Sequence, residues 1–207
     1  MAPYLSPVER PRGLVLRLMS FVMRRQLGKT QFEKLMMPVA VHSARMPTAF
    51  LSFYGKVSRL DKKLRLPSQT AMLIREQVAS INSCEFCMDM NRWYSTKDSD
   101  ENAARYDALA EYRTSPLFTD AERAALDYAT ELTGSRRVEP ETFGRLTRYY
   151  SEREICDIVW LVASEHLYNV TNIGLNIGSS GLCELMVASR HPSSSRAADE
   201  RAGAPSR

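Results

Sequence analysis

Apolar residues along most of the chain recur every three or four positions, which is the spacing of one face of an α-helix. The clearest stretch runs from Ser68 to about Asn82, directly after Pro67. Its apolar side chains are Ala71, Leu73, Ile74, Val78 and Ile81. No alternating strand pattern competes with this spacing, so the sequence predicts an all-α protein.

Capping residues mark the helices of the second half of the chain. Thr119–Glu122 and Ser151–Glu154 each read as a capping box, in which a hydroxyl and a glutamate satisfy the first N–H groups of a helix. Gly134 predicts the end of the first of these helices, and Pro140 suits the first position of the next.

The N-terminal part is divided more finely. The sequence predicts an irregular arm followed by an apolar helix from about Gly13. This helix is apolar on two faces, and both faces need burial, either in the packing of the chain terminus or in a subunit interface. A membrane-surface role is the alternative, because Arg24, Arg25 and Lys29 follow. Between residues 31 and 60, helix breaks are predicted at Pro38, Pro47 and Gly55.

These patterns divide the chain into three parts. Residues 1–44 form the N-terminal arm and apolar helix, residues 45–188 one helical domain, and residues 189–207 a tail too poor in apolar residues to fold.

Composition narrows the function classes. A net charge of +4 over 207 residues gives no basic footprint for nucleic acid. Four cysteines are too few for a disulfide framework and fit a reducing compartment. The apolar run after Gly13 is interrupted by Arg17 and is too short to span a bilayer. We therefore expect a cytoplasmic protein that binds neither nucleic acid nor membranes.

Cys84 and Cys87 are the clearest chemical signal. Two cysteines one turn apart at a helix start lie near free backbone N–H groups and the positive end of the helix dipole, which favour the thiolate. A thiolate attacks peroxides or disulfides, and its neighbour can then close an internal disulfide without a cofactor.

Two other interpretations of the cysteine pair remain open. Structural zinc needs about four ligands, yet the chain has no second CxxC and its histidines are limited to His42, His166 and His191, so no metal is expected. Alternatively, both cysteines are small, buried and inert.

The segment Arg75–Met90, which reads REQVASINSCEFCMDM, resembles the core motif of the carboxymuconolactone decarboxylase family in its alkylhydroperoxidase D-like branch. Ser115–Leu126 and Ser151–Asn172 resemble later helices of that family, so the resemblance covers roughly residues 45 to 185. It implies an all-α domain of the alkylhydroperoxidase D-like type, assembly as a homotrimer or hexamer, and an active site at the CxxC.

The resemblance also implies roles for both cysteines. In the peroxidase members the second cysteine attacks the hydroperoxide and the first resolves it, so Cys87 would attack and Cys84 resolve. Those members carry a relay glutamate and a relay histidine at positions occupied here by Met72 and Asn91, and neither of these residues titrates near neutral pH.

Two residues are candidates for the missing proton relay. Glu76 lies one turn beyond Met72 on the same helix face, and His166 belongs to the closing helix. The ordinary alternatives are a solvated or salt-bridged glutamate and a histidine satisfied within the packing. Structural roles are expected for three further residues: the helix dipole for Asp89, and packing for Cys156 and Cys183.

The sequence thus predicts a thiol-dependent peroxidase or disulfide oxidoreductase, a peroxiredoxin-type alkylhydroperoxidase, whose partners are a hydroperoxide and a thiol reductant. The alternative is a non-catalytic helical assembly or redox-sensing module that has lost the proton relay.

Overall fold

The computed structural model describes residues 2–8, 17–18, 21–22, 24–25, 28–96 and 100–182. Within these ranges it is all-α, as predicted, and short 3-10 helices at Ser43–Arg45 and Leu109–Glu111 accompany nine α-helices. The α-helices are α1 (Lys29–Leu35), α2 (Met37–Val41), α3 (Thr48–Asp61), α4 (Ser68–Ile81), α5 (Glu85–Thr96), α6 (Asp100–Asp107), α7 (Asp120–Ser135), α8 (Pro140–Leu146) and α9 (Glu152–Gly174).

Helix α4 is the predicted apolar helix, and it lies at the centre of the fold. It packs against α5, α7 and α9. Ile74 and Val78 are fully buried in a core that includes Ala125 of α7 and Ile158 of α9. This packing fixes the C-terminal end of α4, and therefore the start of α5, against α7 and α9.

Both capping boxes are confirmed. The Thr119 and Ser151 side chains accept from the third N–H of α7 and α9, and the glutamate at each third position accepts from the cap residue. Pro140 is the first residue of α8, as predicted. The end of α7 falls two residues later than predicted, because Arg136, rather than Gly134, takes the left-handed conformation.

The predicted break at Gly55 is wrong, because α3 runs through it. An isolated glycine costs a helix about 1 kcal/mol relative to alanine. Here the neighbouring turn is anchored by Val57, which is 2% exposed, and that packing outweighs the penalty. The prolines behave as predicted: Pro38 lies in the first turn of α2, and Pro47 immediately precedes α3.

The chain continues past α9 to dock on α5. Leu182 is fully buried beside Leu35 and Trp93. None of the described helices is long and apolar enough to cross a membrane. The predicted tail of residues 189–207, Cys183 and most of the predicted N-terminal apolar helix lie outside the described residues, and the three-part division of the chain stays a prediction.

Candidate active site

Cys84 and Cys87 form a disulfide at the junction of α4 and α5, with their Cα atoms 5.2 Å apart. Ser83 takes a left-handed conformation with φ 57°, which turns the chain between the helices. The Cys84 N–H donates to Ala79 O at 2.9 Å, and α5 begins at the next residue. The predicted position of the pair at a helix start is therefore confirmed.

A cavity of about 710 Å³ lies beside this disulfide, between α5, α9 and the helices of the N-terminal half. Of the two cysteines, Cys87 lines the cavity. Cys87 is thus the cysteine of the pair on the cavity side. The apolar part of the wall is formed by Leu35, Met36, Val39, Met72, Phe86 and Met90.

Helix α9 supplies the residues that touch the sulfur. The Asn172 amide donates from Nδ2 to Cys87 Sγ at 3.3 Å, and Tyr168 packs against the cysteine pair. The Tyr168 ring stacks on Tyr54 with centroids 5.6 Å apart, and burial raises the pKa of its hydroxyl to about 12. Both tyrosines line the cavity.

A buried ionic cluster forms another part of the wall. The Arg75 guanidinium donates to Glu165 Oε2 at 3.0 Å and to Asp61 Oδ2 at 2.9 Å. Glu165 also accepts from Asn169 Nδ2 at 2.8 Å. Burial raises the pKa of Glu165, and the Arg75 charge acts against this shift. One cation between two carboxylates leaves the wall slightly negative or neutral, which disfavours an anionic ligand.

Glu76 is a second buried carboxyl group close to this cluster. Burial and, next, the Glu165 charge raise the pKa of Glu76 to about 8. In the described part of the chain its Oε2 atom accepts no hydrogen bond. Glu76 is therefore largely protonated at neutral pH and can give up a proton just above it.

The two positions where a relay glutamate and histidine were expected both face the cavity, as Met72 and Asn91. Asn91 lies one turn beyond Cys87 on α5, and its amide favours the charged forms of Glu76 and Glu165. The Asn91 amide is thus close to both buried carboxyl groups.

No protein-family model matches the chain. The uncharacterized protein YnjA of Escherichia coli is 27% identical over 179 residues, covering 83% of this chain and 92% of YnjA. An Agrobacterium tumefaciens protein of unknown function, proposed to be the antioxidant defence protein AhpD, is 24% identical. It superposes with a TM-score of 0.59 over 66% of this chain and 94% of its own.

The debrominase Bmp8, in a variant crystallised with 2,3,4-tribromopyrrole, superposes with a TM-score of 0.67 over 91% of this chain and 98% of its own at 21% identity. These structural neighbours agree with the resemblance seen in the sequence. The chain has the AhpD-like fold. On this AhpD-like fold, the Cys84–Cys87 disulfide lies beside the cavity.

His166 faces away from this cavity. Its Nε2 atom lies 2.8 Å from Arg136 Nη1, and its Nδ1 atom lies 3.0 Å from Asn82 Nδ2. Partial burial and the Arg136 charge lower its pKa. Both neighbours are donors, so a neutral His166 ring accepts from only one of them. Neither His166 nor Glu76 is among the residues that line the cavity.

Two structural expectations need correction. Asp89 lies in the second turn of α5 and is 9% exposed. Its Oδ2 atom accepts hydrogen bonds from residues 179–182. Asp89 therefore holds the C-terminal segment on α5, in addition to any effect on the helix dipole.

Cys156 is an exposed free thiol on α9, so the expected packing role is wrong. An apolar helix position can face outwards as well as inwards, which the sequence pattern alone does not resolve.

Sequence reasoning missed the roles of Arg75, Asp61 and Asn172. Arg75 and Asn172 stand within the segments that carry the family resemblance, so their presence there was a usable signal. Nothing in the sequence around Asp61 points to the site, because it meets Arg75 only through the packing of α3 on α4 and α9.

Proposed function

We propose that the protein is a dithiol oxidoreductase that reduces an organic hydroperoxide, with Cys87 attacking and Cys84 resolving. The observation that carries the proposal is the position of the Cys87 sulfur on the cavity wall, in contact with the Asn172 amide. Cys84 is 1% exposed and lies behind it, where it can reach the neighbouring sulfur.

The reaction starts from the reduced pair. The Cys87 thiolate attacks the hydroxyl oxygen of the hydroperoxide, the O–O bond breaks, and the alkoxide leaves with the electron pair and takes up a proton. Cys87 is now a sulfenic acid. The Cys84 thiol attacks its sulfur, water leaves, and the Cys84–Cys87 disulfide forms. An external thiol reductant restores both thiols.

Glu76 is the proposed proton donor to the leaving alkoxide. Its pKa of about 8 keeps it largely protonated at neutral pH. Asn91, whose amide favours the charged form of Glu76, lines the cavity. An acid whose pKa lies near the working pH transfers protons most effectively in both directions. This arrangement offers a substitute for the relay glutamate and histidine that Met72 and Asn91 replace.

The test follows disulfide formation by mass spectrometry after the reduced protein meets a small excess of cumene hydroperoxide. We expect the Cys84–Cys87 pair of the wild-type protein to lose two hydrogen atoms much faster than free cysteine is oxidised. Cys84→Ser should stop at the Cys87 sulfenic acid, and Cys87→Ser should not react. Cys156→Ser serves as the matched thiol control and should react like the wild type. Thiols oxidised no faster than free cysteine would favour the non-catalytic assembly or redox-sensing module instead.

A second candidate substrate is a brominated aromatic ring. Bmp8, to which the chain is similar over 91% of its length, is a debrominase, and the Tyr54–Tyr168 stack provides a flat wall for a ring. Two thiols and an aryl bromide would yield the disulfide, the debrominated ring, a proton and bromide. Bromide release from 2,3,4-tribromopyrrole by the reduced protein, with no reaction towards cumene hydroperoxide, would select this substrate over the hydroperoxide.

A further inference from the structure

Asp61 is the accessible carboxylate of the cavity wall. Asp61 and Glu165 both line the cavity, but the Asp61 side chain is 27% exposed whereas that of Glu165 is only 3% exposed. An aspartate side chain is little more than its carboxylate, so this exposed surface belongs chiefly to the charged group. Of the two carboxylates, that of Asp61 is the one open enough to meet a ligand in the cavity.

The Asp61 carboxylate keeps part of its capacity to accept hydrogen bonds. Its Oδ1 atom accepts from Trp160 Nε1 at 3.0 Å, and its Oδ2 atom accepts from Arg75 Nη2 at 2.9 Å. A carboxylate offers about four acceptor positions, two on each oxygen. The contacts within the described part of the chain use two of these positions, so a donor from the cavity can occupy another.

The cation in the wall is already committed to protein partners. Arg75 is the one lysine or arginine among the described residues that line the cavity. Its guanidinium donates to Asp61, to Glu165 and, at 3.2 Å, to Ser164 Oγ, and the side chain is only 9% exposed. An anionic ligand would have to displace one of these partners, and it would meet the Asp61 carboxylate. The charges of the wall therefore favour a cationic ligand over an anionic one.

Two tyrosine rings lie beside this carboxylate. Tyr54, Ser58 and Asp61 follow one face of α3 at helical spacing, and all three line the cavity. The partly exposed ring of Tyr168 stacks on that of Tyr54 with centroids 5.6 Å apart. Besides burial, the charges of Arg75 and Asp61 act on the pKa of the Tyr168 hydroxyl, so this hydroxyl lies in their field. Tyrosine rings attract organic cations, and tyrosine hydroxyls accept N–H groups.

We propose that this part of the cavity binds the cationic nitrogen of an organic amine, with Asp61 as its counter-ion and the Tyr54 and Tyr168 rings beside it. The apolar wall, which includes Phe86, takes the hydrocarbon body of the ligand on the side of Cys87. The inference rests on the proposed function for the reaction at Cys87 and adds a charge class to the substrate. The amine itself stays unchanged, because it positions the molecule whose other end reacts.

Binding to the oxidised protein tests this site without turnover. The probes are 2-phenylethylamine, which is a cation at pH 7, the neutral 2-phenylethanol, and the anion phenylacetate, all with one phenyl ring and a short chain. One hydrogen bond to a charged group predicts that the wild-type protein binds the amine about tenfold more tightly than the alcohol. Phenylacetate should bind more weakly than the alcohol. Isothermal titration calorimetry measures the three dissociation constants.

Variants locate the preference for the amine. Asp61→Asn keeps the shape of the side chain and removes its charge, so the amine and the alcohol should bind equally. Tyr54→Leu keeps an apolar wall and removes one ring, and the preference should fall about threefold. Asp120→Asn makes the same acid-to-amide change in an ion pair with Arg123 on α7, none of whose described residues lines the cavity, and should bind all three probes like the wild type.

A wild-type protein that binds the alcohol or phenylacetate at least as tightly as the amine, or that binds none of the three, would overturn the inference. So would a preference that persists in Asp61→Asn or, where that variant does not fold, in Tyr54→Leu. The proposed function is judged separately by disulfide formation. A protein that forms the disulfide with cumene hydroperoxide but shows no preference for the amine would retain the function and lose this site.

Discussion

Glu76 shows how a single residue can acquire chemistry from its surroundings. A glutamate on an amphipathic helix is usually solvated, and only the position of Glu76 one turn beyond Met72 suggested another role. The packing of α4 against α5 and α9 instead buries it near Glu165, and this raises its pKa to about 8. Its titration therefore couples the stability of the fold to pH in the range where the thiols react.

Replacing Glu76 by glutamine should make stability less sensitive to pH. Between about pH 4.5 and 8 the folded protein holds a proton at Glu76 that the unfolded chain releases, so the free energy of unfolding falls as pH rises, by up to about 1.4 kcal/mol per pH unit. Glu76→Gln removes this contribution, so the free energy of unfolding of the variant relative to that of the wild type should increase from pH 5 to pH 8. Urea denaturation at pH 5, 6.5 and 8 measures the difference.

The pKa of Glu165 is also raised, so the slope should decrease in Glu76→Gln without disappearing. Glu111→Gln is the matched control, because Glu111 is exposed on a 3-10 helix and its replacement should leave the slope as it is. Identical slopes in wild type and Glu76→Gln would show that Glu76 is ionised throughout this range, and would remove it as a proton donor.

At the scale of helices, the sequence predicted those whose ends are encoded locally. Each of these signals involves residues within one turn: the capping boxes of α7 and α9, and Pro140 of α8. Their effect on where a helix begins therefore does not depend on the rest of the fold. Gly55 was misjudged because its effect depends on tertiary packing of α3. The docking of residues 179–182 on α5 was not predicted, because the contact with Asp89 spans 90 positions or more of sequence.

The Asp89 carboxylate is expected to hold that docked segment in place. Its Oδ2 atom accepts from Ser180 N at 3.1 Å and Leu182 N at 3.0 Å, as well as from the Ser179 and Ser180 hydroxyls. Asp89→Ala leaves these donors without their acceptor and should cost about 2 to 3 kcal/mol. Hydrogen exchange of the Leu182 amide should accelerate at least tenfold, while amides in the middle of α4 follow only the global loss of stability.

Asp107→Ala provides the comparison for this prediction. Asp107 pairs with Arg92 at an exposed position of α6, where an ion pair contributes about 0 to 1 kcal/mol. Its replacement should leave the Leu182 amide protected. Unchanged exchange at Leu182 in Asp89→Ala would mean that the apolar contacts of Leu182 with Leu35 and Trp93 hold the segment by themselves.

Across the whole molecule, the candidate site divides into a local part and a long-range part. The cysteine pair was predictable because both thiols lie within one turn of the chain. The groups around it were not, because Asn172 lies 85 positions from Cys87 and Glu165 lies 90 positions from Arg75. Helical periodicity places such residues on buried faces, but it does not say which polar side chains meet there.

The surface of the molecule carries an apolar face that a single copy leaves exposed. It follows about five turns of α9, and Val170, which is 68% exposed, lies towards its C-terminal end. Its members are Cys156, Val159, Ala163, Leu167, Val170 and Ile173. A row of apolar side chains of this length is typical of an interface, and homo-oligomers bury such a surface against identical chains around a symmetry axis.

We propose that copies of this chain associate through this face of α9, in line with the trimer or hexamer that the family resemblance implies. Val170→Glu places a charge where the apolar row would be buried, so it should shift the mass measured by sedimentation velocity from oligomer to monomer. Because Val170 points outwards, the helix content and the CxxC reaction of each copy should persist. Leu117→Glu makes the same kind of change at an exposed apolar residue before α7, away from this face, and should leave the oligomer intact. A wild-type protein that sediments as a monomer, or an unchanged oligomer in Val170→Glu, would assign this face to another role.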